Sequence, residues 1–330
     1  MDLGLLLDNL LSPPIMFFAL GVAAGLVKSD LAIPEAVTKL LSLYLLWSIG
    51  LKGGVQLRSG EWSGEVVTSL LAALSLATVI PLLVFAFLRP RLGADNAGAL
   101  AAVYGSVSAV TFLTACAYLN RDGIPFGGHM VAALAVMESP AIIIAVLLVR
   151  RSHARARDDI GPRAPSLAES LREAALNGPV VLLTGSMAIG AAIGEEGFKP
   201  LAPLAASLFP GVLAFFLLEL GLLAAKKSRA LRVVGPSLIA FGLVVPLLGA
   251  AAAAGLARAL SLAPGNAFLL IVLASSASYI AAPAAARTAI PRASPGLYVP
   301  LALAVTFPFN IALGIPLYWQ VVRLLWKDVN

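Results

Sequence analysis

The chain has one cysteine, Cys116, and two histidines, His129 and His153, in 330 residues. A lone cysteine excludes an internal disulfide and a Cys-based metal cluster. Cys116 lies in an apolar stretch and reads as a small packed residue. The two histidines each fall near the end of an apolar run, so neither a Ser–His dyad nor a His-based metal set can be drawn in the interior. Charge is scarce too: 12% of residues are Asp, Glu, Lys or Arg, against 60% hydrophobic. Mean hydropathy is +0.94. No soluble domain tolerates such a surface. Residues 1–13 hold Asp2 and Asp8 but no Lys or Arg, so the basic head of a cleaved signal peptide is missing. The first apolar run then acts as an uncleaved insertion signal.

What the chain does have is a series of apolar runs of membrane length, since a helix rises ~1.5 Å per residue across ~30 Å of hydrocarbon. Ten spans are predicted: 13–28, 34–57, 65–88, 97–119, 129–149, 178–194, 202–224, 233–257, 266–286 and 296–321. The fold class is therefore an all-α polytopic membrane protein. An isoelectric point of 9.7 reflects Lys and Arg between spans rather than nucleic-acid binding. Loops after odd-numbered spans carry 16 Lys and Arg, and the other side carries 7. The positive-inside rule then puts both termini outside and residues 150–177 in the cytoplasm, in a cell inner (plasma) membrane.

Residues 150–177 form a short linker that opens on Arg150, Arg151, Arg155 and Arg157. It reads as a charge anchor, or as a docking site for anionic membrane lipid or a regulatory partner. Ser166 to Leu176 fits a short amphipathic helix, with Ser166 as N-cap and Glu169 at capping-box spacing. Trp62, Trp319 and Trp326, with Tyr318 alongside, fall near predicted interfaces, as in an aromatic belt.

The chain repeats itself at about half its length. Ser12-Pro13-Pro14 opens a run answered by Asn177-Gly178-Pro179, and Ser48-Ile49-Gly50-Leu51 is answered by Glu219-Leu220-Gly221-Leu222. Gly105-Ser106-Val107-Ser108-Ala109-Val110-Thr111 is answered by Ser275-Ser276-Ala277-Ser278-Tyr279, and Pro140-Ala141-Ile142 by Pro308-Phe309-Asn310-Ile311. The first five spans lie in residues 1–149 and the second five in 178–330. An odd number in each half makes the halves inverted, a signature of secondary transporters.

Spans 4 and 9 are the polar ones. Gly105 loosens a helix and Pro283 removes one of its hydrogen bonds, so both spans are predicted to break in mid-membrane. Such breaks free backbone groups that are tolerated only where they line a cavity or bind something. Half-helix N-termini suit an anion, while carbonyls and hydroxyls suit Na⁺. The bland alternative is that these Ser and Thr hydroxyls merely bond back to their own helix. Glu138 lies about nine residues into span 5, where a carboxylate is costly unless paired, solvated or protonated. It reads as a coupling residue, or as an interfacial glutamate if the span is shorter. Asn310 either offers its amide oxygen to a cation or bonds a carbonyl freed near Pro308.

At these residues the chain resembles the sodium-dependent bicarbonate transporter family. The resemblance rests on Ala32-Ile33-Pro34-Glu35-Ala36, Ile49-Gly50-Leu51-Lys52-Gly53-Gly54, Tyr104-Gly105-Ser106-Val107-Ser108, Met137-Glu138-Ser139-Pro140-Ala141 and Arg287-Thr288-Ala289-Ile290-Pro291. It implies ten spans in a 5+5 inverted repeat with broken spans 4 and 9. It also implies separate gate and core domains, a homotrimer, and an anion and Na⁺ bound between the broken spans. The family's Ser-Gly-Ser-Thr appears as Ser108-Ala109-Val110-Thr111, and its Met-Asp-Ile-Pro as Met137-Glu138-Ser139-Pro140. Its Ser-Ser-Ser-Asp-Ile-Ser-Gly-Pro appears as Ser276-Ala277-Ser278-Tyr279-Ile280-Ala281-Ala282-Pro283, with tyrosine in place of the aspartate. Residues 150–177 are shorter than the loop that receives a PII-like regulatory protein in some members.

The expected function is Na⁺-coupled import of a small anion, most simply bicarbonate. Gly105, Ser106, Ser108, Ala109, Thr111, Ser276, Ala277, Ser278 and Tyr279 would line the substrate. Ser108, Thr111, Glu138, Ser276, Ser278 and Asn310 would serve the cation. The rival readings are a proton-coupled carboxylate transporter and, from other classes, a membrane enzyme or a receptor.

Overall fold

The computed structural model describes residues 3–60, 64–156, 172, 176 and 178–326. Of the proposed helix from Ser166 to Leu176 only Arg172 and Leu176 are among the described residues, and Trp62 lies outside them. In chain order the helices are α1 (Leu3–Leu10), α2 (Pro13–Leu26), α3 (Glu35–Ser59), α4 (Gly64–Gly105), α5 (Ala109–Arg121), α6 (His129–Glu138) and α7 (Pro140–Ala156). The second half holds α8 (Gly178–Phe198), α9 (Phe209–Ser228), α10 (Leu231–Val234), α11 (Pro236–Ala259), α12 (Pro264–Ala274) and α13 (Ala281–Ala289). The last helix, α14 (Pro295–Leu325), contains π-helical turns at Ala302–Thr306 and Asn310–Gly314. No strand occurs among the described residues.

Among the described residues, seven helical stretches are long and apolar enough to cross a membrane, so the chain is a polytopic all-α membrane protein. One of them, Gly64–Arg121, runs for 58 residues. At ~1.5 Å per residue it would reach about 87 Å, nearly three bilayer cores, so it cannot cross in one pass. It turns at Gly93, whose φ of 75° is easy for glycine and strained for other residues. Large apolar side chains such as Leu83 and Phe87 stay exposed on α4, a surface that lipid covers.

The helices pack as two groups. In the first, α2 lies along α9 and α3 along α8. Both crossings are built on glycine. A Cβ at Gly21 would sit 2.0 Å from the Leu218 carbonyl oxygen, and one at Gly221 would sit 2.2 Å from that of Phe18. Across α3 and α8 the same holds for Gly54 against Met187 (1.9 Å) and Gly190 against Leu51 (2.1 Å). In lipid there is no hydrophobic gain from helix contact, so close backbone approach and dispersion hold such pairs together. In the second group, α4 packs against α6 and α7, α12 against α11 and α5, and α14 against α12.

Two aromatic expectations are corrected. Trp319 is 4% exposed and Tyr318 1%, so neither belongs to a lipid-facing belt. Trp319 packs edge-on against Phe268 at 5.5 Å, and the Tyr318 hydroxyl has an interior partner, Asn310. Cys116 is free and fully buried.

Candidate functional site

Two helices are interrupted, and the interruptions meet. α4 stops at Gly105 and α5 starts at Ala109, while α12 stops at Ala274 and α13 starts at Ala281. Packing fixes where the first helix stops. A Cβ at Gly105 would come within 2.7 Å of Pro81 and 2.9 Å of Ala141. The second stop is crowded in the same way: a Cβ at Gly249 on α11 would lie 2.2 Å from the Ala274 carbonyl oxygen. Pro283 does not break a helix. It is the third residue of α13, within the first turn, where a missing N–H removes no intrahelical bond.

The two gaps are tied by reciprocal hydrogen bonds. The Ser108 backbone N–H donates to Ser276 Oγ at 2.9 Å, and the Ser278 backbone N–H donates to the Val103 carbonyl at 2.9 Å. Each second half-helix thus begins against the end of the other repeat's first half-helix. Serines serve the starts of both, Ser108 as the N-cap of α5 and Ser278 from two residues before Ile280, the N-cap of α13. Ser108 Oγ accepts from the Thr111 N–H (3.2 Å) and from Thr111 Oγ1 (2.9 Å), and Ser278 Oγ accepts from the Ala282 N–H (3.1 Å). A capping serine that accepts still has its own proton to donate. Two capped N-termini, each with partial positive charge and a hydroxyl donor, form a surface suited to an anion. The Thr111 hydroxyl has given its proton to Ser108, so its lone pairs are left for a cation.

Side chains from the following helices brace both gaps. Ser106 Oγ donates to the Glu138 backbone carbonyl at 2.9 Å, where α6 ends two residues before Pro140. In the matching place of the other repeat, Asn310 Nδ2 donates to the Ser275 carbonyl at 2.8 Å. Asn310 Oδ1 accepts from Tyr318 at 2.8 Å, so of its two expected roles the structure displays carbonyl bonding, to the Ser275 carbonyl at the break of its own half rather than to one near Pro308. Ser276 Oγ also donates to Leu273 within its own helix, at 2.9 Å. The own-helix reading was therefore right for its proton, but its lone pairs serve the crossing.

Ser106, Ser108, Thr111, Ser276, Ala277, Ser278 and Asn310 are all buried, and Gly105 with them; Ala109 is half-buried as the first residue of α5. Tyr279 packs its ring edge-on against Phe307 at 5.2 Å. Its hydroxyl is enclosed without a hydrogen bond of regular geometry, and Ser108 is its polar neighbour. Glu138 is half-buried, and its carboxylate has no ion-pair or hydrogen-bond partner among the described residues. The structure joins it to the crossing through its backbone, not through its carboxylate.

Several contributors escaped the sequence reading. Tyr104 meets Thr306 Oγ1 at 2.8 Å, and Thr306 donates to the Gly242 carbonyl at 2.7 Å, so the Tyr104 hydroxyl must be the donor in the first pair. That relay links α4, α14 and α11 beside the gap. Asn96 Oδ1 accepts from the Ser294 N–H (2.9 Å), and Asn266 Oδ1 from the Gly127 N–H (2.7 Å). Each asparagine sits near the start of an interrupted helix and holds the loop that follows the opposite one. Their Asn-Ala pairs, 96–97 and 266–267, stand 170 residues apart, the offset of the other repeats, and that was the available signal.

A cavity of about 680 Å³ lies between the two helix groups, bounded by α2, α3, α9 and the C-terminal half of α5. Lys52 and Arg121 line it, and no Asp or Glu among the described residues does. It reaches α5 at Thr114, one turn beyond Thr111, without touching the gap residues themselves.

A sequence model of the family described as the Na⁺-dependent bicarbonate transporter superfamily matches residues 13–323 of this chain. Comparison with individual curated proteins found no match.

Proposed function

The chain belongs to the Na⁺-dependent bicarbonate transporter superfamily, and from that premise we propose that it is a secondary active transporter. It imports a small anion, most simply bicarbonate, together with Na⁺. The family is one of transporters rather than enzymes. The observation that carries the reading is the reciprocal crossing of two interrupted helices, with Ser108 and Ser278 capping the half-helices that face it. The anion takes the two capped N-termini and the Ser108 and Ser278 hydroxyls. Na⁺ is carried as cargo beside it, on Thr111 and the gap carbonyls. Neutral oxygens of this kind suit a weakly held, hard cation that must leave again.

The ten-pass, 5+5 inverted arrangement is part of the proposal. It is supported by glycine crossings, asparagine ties and serine caps that recur between the halves. The α2–α3–α8–α9 group acts as the gate and the other group as the moving core. The basic cavity between them serves as the outer vestibule, with both termini outside and 150–177 in the cytoplasm. A homotrimer and a PII-like partner at the cytoplasmic face are carried only by the family resemblance.

One observation favours the second reading, proton coupling. Glu138 is joined to the crossing through its backbone and has no cationic partner among the described residues, and the span 9 aspartate of the resembling family is Tyr279 here. The experiment is uptake of labelled bicarbonate and small carboxylates into proteoliposomes, with a Na⁺ gradient, a proton gradient, or neither. Uptake driven by Na⁺ supports the first reading, and uptake driven only by protons supports the second. Uptake with neither gradient, or none at all, would remove both.

A further inference from the structure

A second cavity, of about 660 Å³, lies on the flank of the core between α4 and α7. It shares no lining residue with the crossing or with the cavity between the helix groups. Leu82, Phe85 and Arg89 line it from α4, and Leu148, Arg151 and Arg155 from α7. Both sets follow i, i+3, i+7 spacing, so each is one face of its helix. On each helix the apolar residue comes first and arginine last. The cavity is therefore apolar on one side and triply basic on the other.

None of the three guanidinium groups has a hydrogen-bond or ion-pair partner among the described residues, and no Asp or Glu of those residues lines the cavity. In sequence Asp158 and Asp159 come three and four residues after Arg155 and lie outside the described residues; Asp95, six residues after Arg89, is taken by His153 at 3.0 Å. Three like charges around one cavity are unfavourable without a counter-anion, and arginine is the side chain best shaped to bind a phosphate through paired N–H groups. Leu83 and Phe87, next along α4 to the lining residues Leu82 and Ala86, are 65% and 57% exposed. Acyl chains would cover them in a bilayer.

We propose that this cavity is a binding site for one anionic phospholipid, with its phosphate on Arg89, Arg151 and Arg155 and an acyl chain along Leu82 and Leu148. The site rests on the membrane-spanning character of the chain and not on the identity of the transported anion. Charge complementarity selects a phosphate, and the apolar half selects a lipid over free phosphate. Since these arginines fall on the side assigned to the cytoplasm, the lipid belongs to the inner leaflet, where a loss of negative charge would empty the site.

The test uses the full chain in phosphatidylcholine nanodiscs, titrated with fluorescent phosphatidylglycerol. Three variants are compared with wild type: R89Q/R151Q/R155Q, Ala86→Trp, and the charge-matched K226Q/K227Q/R229Q. Ala86 is exposed and lines the same cavity, so tryptophan fills the groove while keeping every charge and leaving the core packing alone. Affinity should fall on the order of tenfold or more in both cavity variants and change less than about threefold in the charge-matched one. Equal weakening in the two triple variants would reduce the effect to general surface attraction and overturn the site. Unchanged affinity in Ala86→Trp would do the same. Displacement of the lipid by an equal concentration of inorganic phosphate would overturn the lipid as occupant.

Discussion

Removing one hydroxyl at the crossing, by Ser276→Ala, isolates the bond that joins the two repeats. Ser276 is 2% exposed and its oxygen takes the Ser108 N–H at 2.9 Å. Alanine leaves that N–H buried with no acceptor, a cost of about 1–3 kcal/mol. The Leu273 carbonyl loses only an additional donor within its own helix. The neighbouring Ser275→Ala is the internal control. The Ser275 hydroxyl donates back to Val272 at 3.1 Å, and its backbone carbonyl keeps the Asn310 bond whatever the side chain. Its loss should cost a few tenths of a kcal/mol. In detergent, thermal unfolding of Ser276→Ala should come several degrees below that of Ser275→Ala. Because the same N–H starts the half-helix proposed to face the anion, KM should rise with it. Carried fully into binding, the penalty corresponds to roughly 5- to 150-fold. Equal stability and equal KM in the two alanine variants would refute the claim that the Ser276 side chain helps hold the crossing.

Glu138→Gln keeps shape and removes the charge; it should abolish gradient-driven uptake in a protein that still inserts and elutes as wild type, and normal uptake would reduce Glu138 to a structural residue. Asn266→Ala should destabilise by about 1–3 kcal/mol, because it strands the Gly127 N–H and also removes a donor to Glu65 at 2.9 Å, whereas Asn96→Ala, whose tie to Ser294 is exposed, should cost below about 1 kcal/mol. A reversed order in thermal unfolding would contradict that assignment. Tyr279 fills with a phenol ring the place where the resembling family has a carboxylate, so uptake should rise with Na⁺ at a Hill coefficient near one, or show no Na⁺ dependence. A steep response in wild type would show that two cation sites persist, and Tyr279→Asp is expected to steepen it. A bifunctional maleimide bridging cysteines at Ala117 and Ala214, which line opposite walls of the basic cavity, should stop transport by pinning core to gate; undiminished turnover in the bridged protein would sink the two-group motion.

Much of the fold was open to reading because lipid imposes a simple grammar. Long apolar runs had to be helices, and the Gly93 turn fell between the runs predicted at 65–88 and 97–119. The polar gaps in the fourth and ninth predicted spans were visible as serines within apolar sequence. Boundaries of α6 and α7 were not: the span predicted at 129–149 is two helices that abut at Ser139, because Pro140 has no N–H to continue the ladder. Trp319 misled for a different reason. Aromatic residues near a chain end resemble an interfacial belt, yet α14 is enclosed by its neighbours and turns Trp319 toward Phe268.

The candidate site was less legible, because its bonds join residues about 170 positions apart. Read within one repeat, Ser276 is a serine bonded to its own helix, and the geometry agrees as far as the proton goes. What no single repeat reveals is the destination of the lone pairs. Ser108 and Ser276 occupy different roles in their own gaps, one capping the helix that follows and one ending the helix that precedes. An inverted pair of gaps can place those two roles face to face, whereas two gaps in parallel would bring like roles together. The tie from Ser278 to Val103 has the same sense, running from the start of one second half-helix to the end of the opposite first half. Matching offsets along the chain locate the partners only under the inversion proposed for the two halves. Asn96 and Asn266 follow the same logic: each reaches past its own repeat to the loop that closes the other.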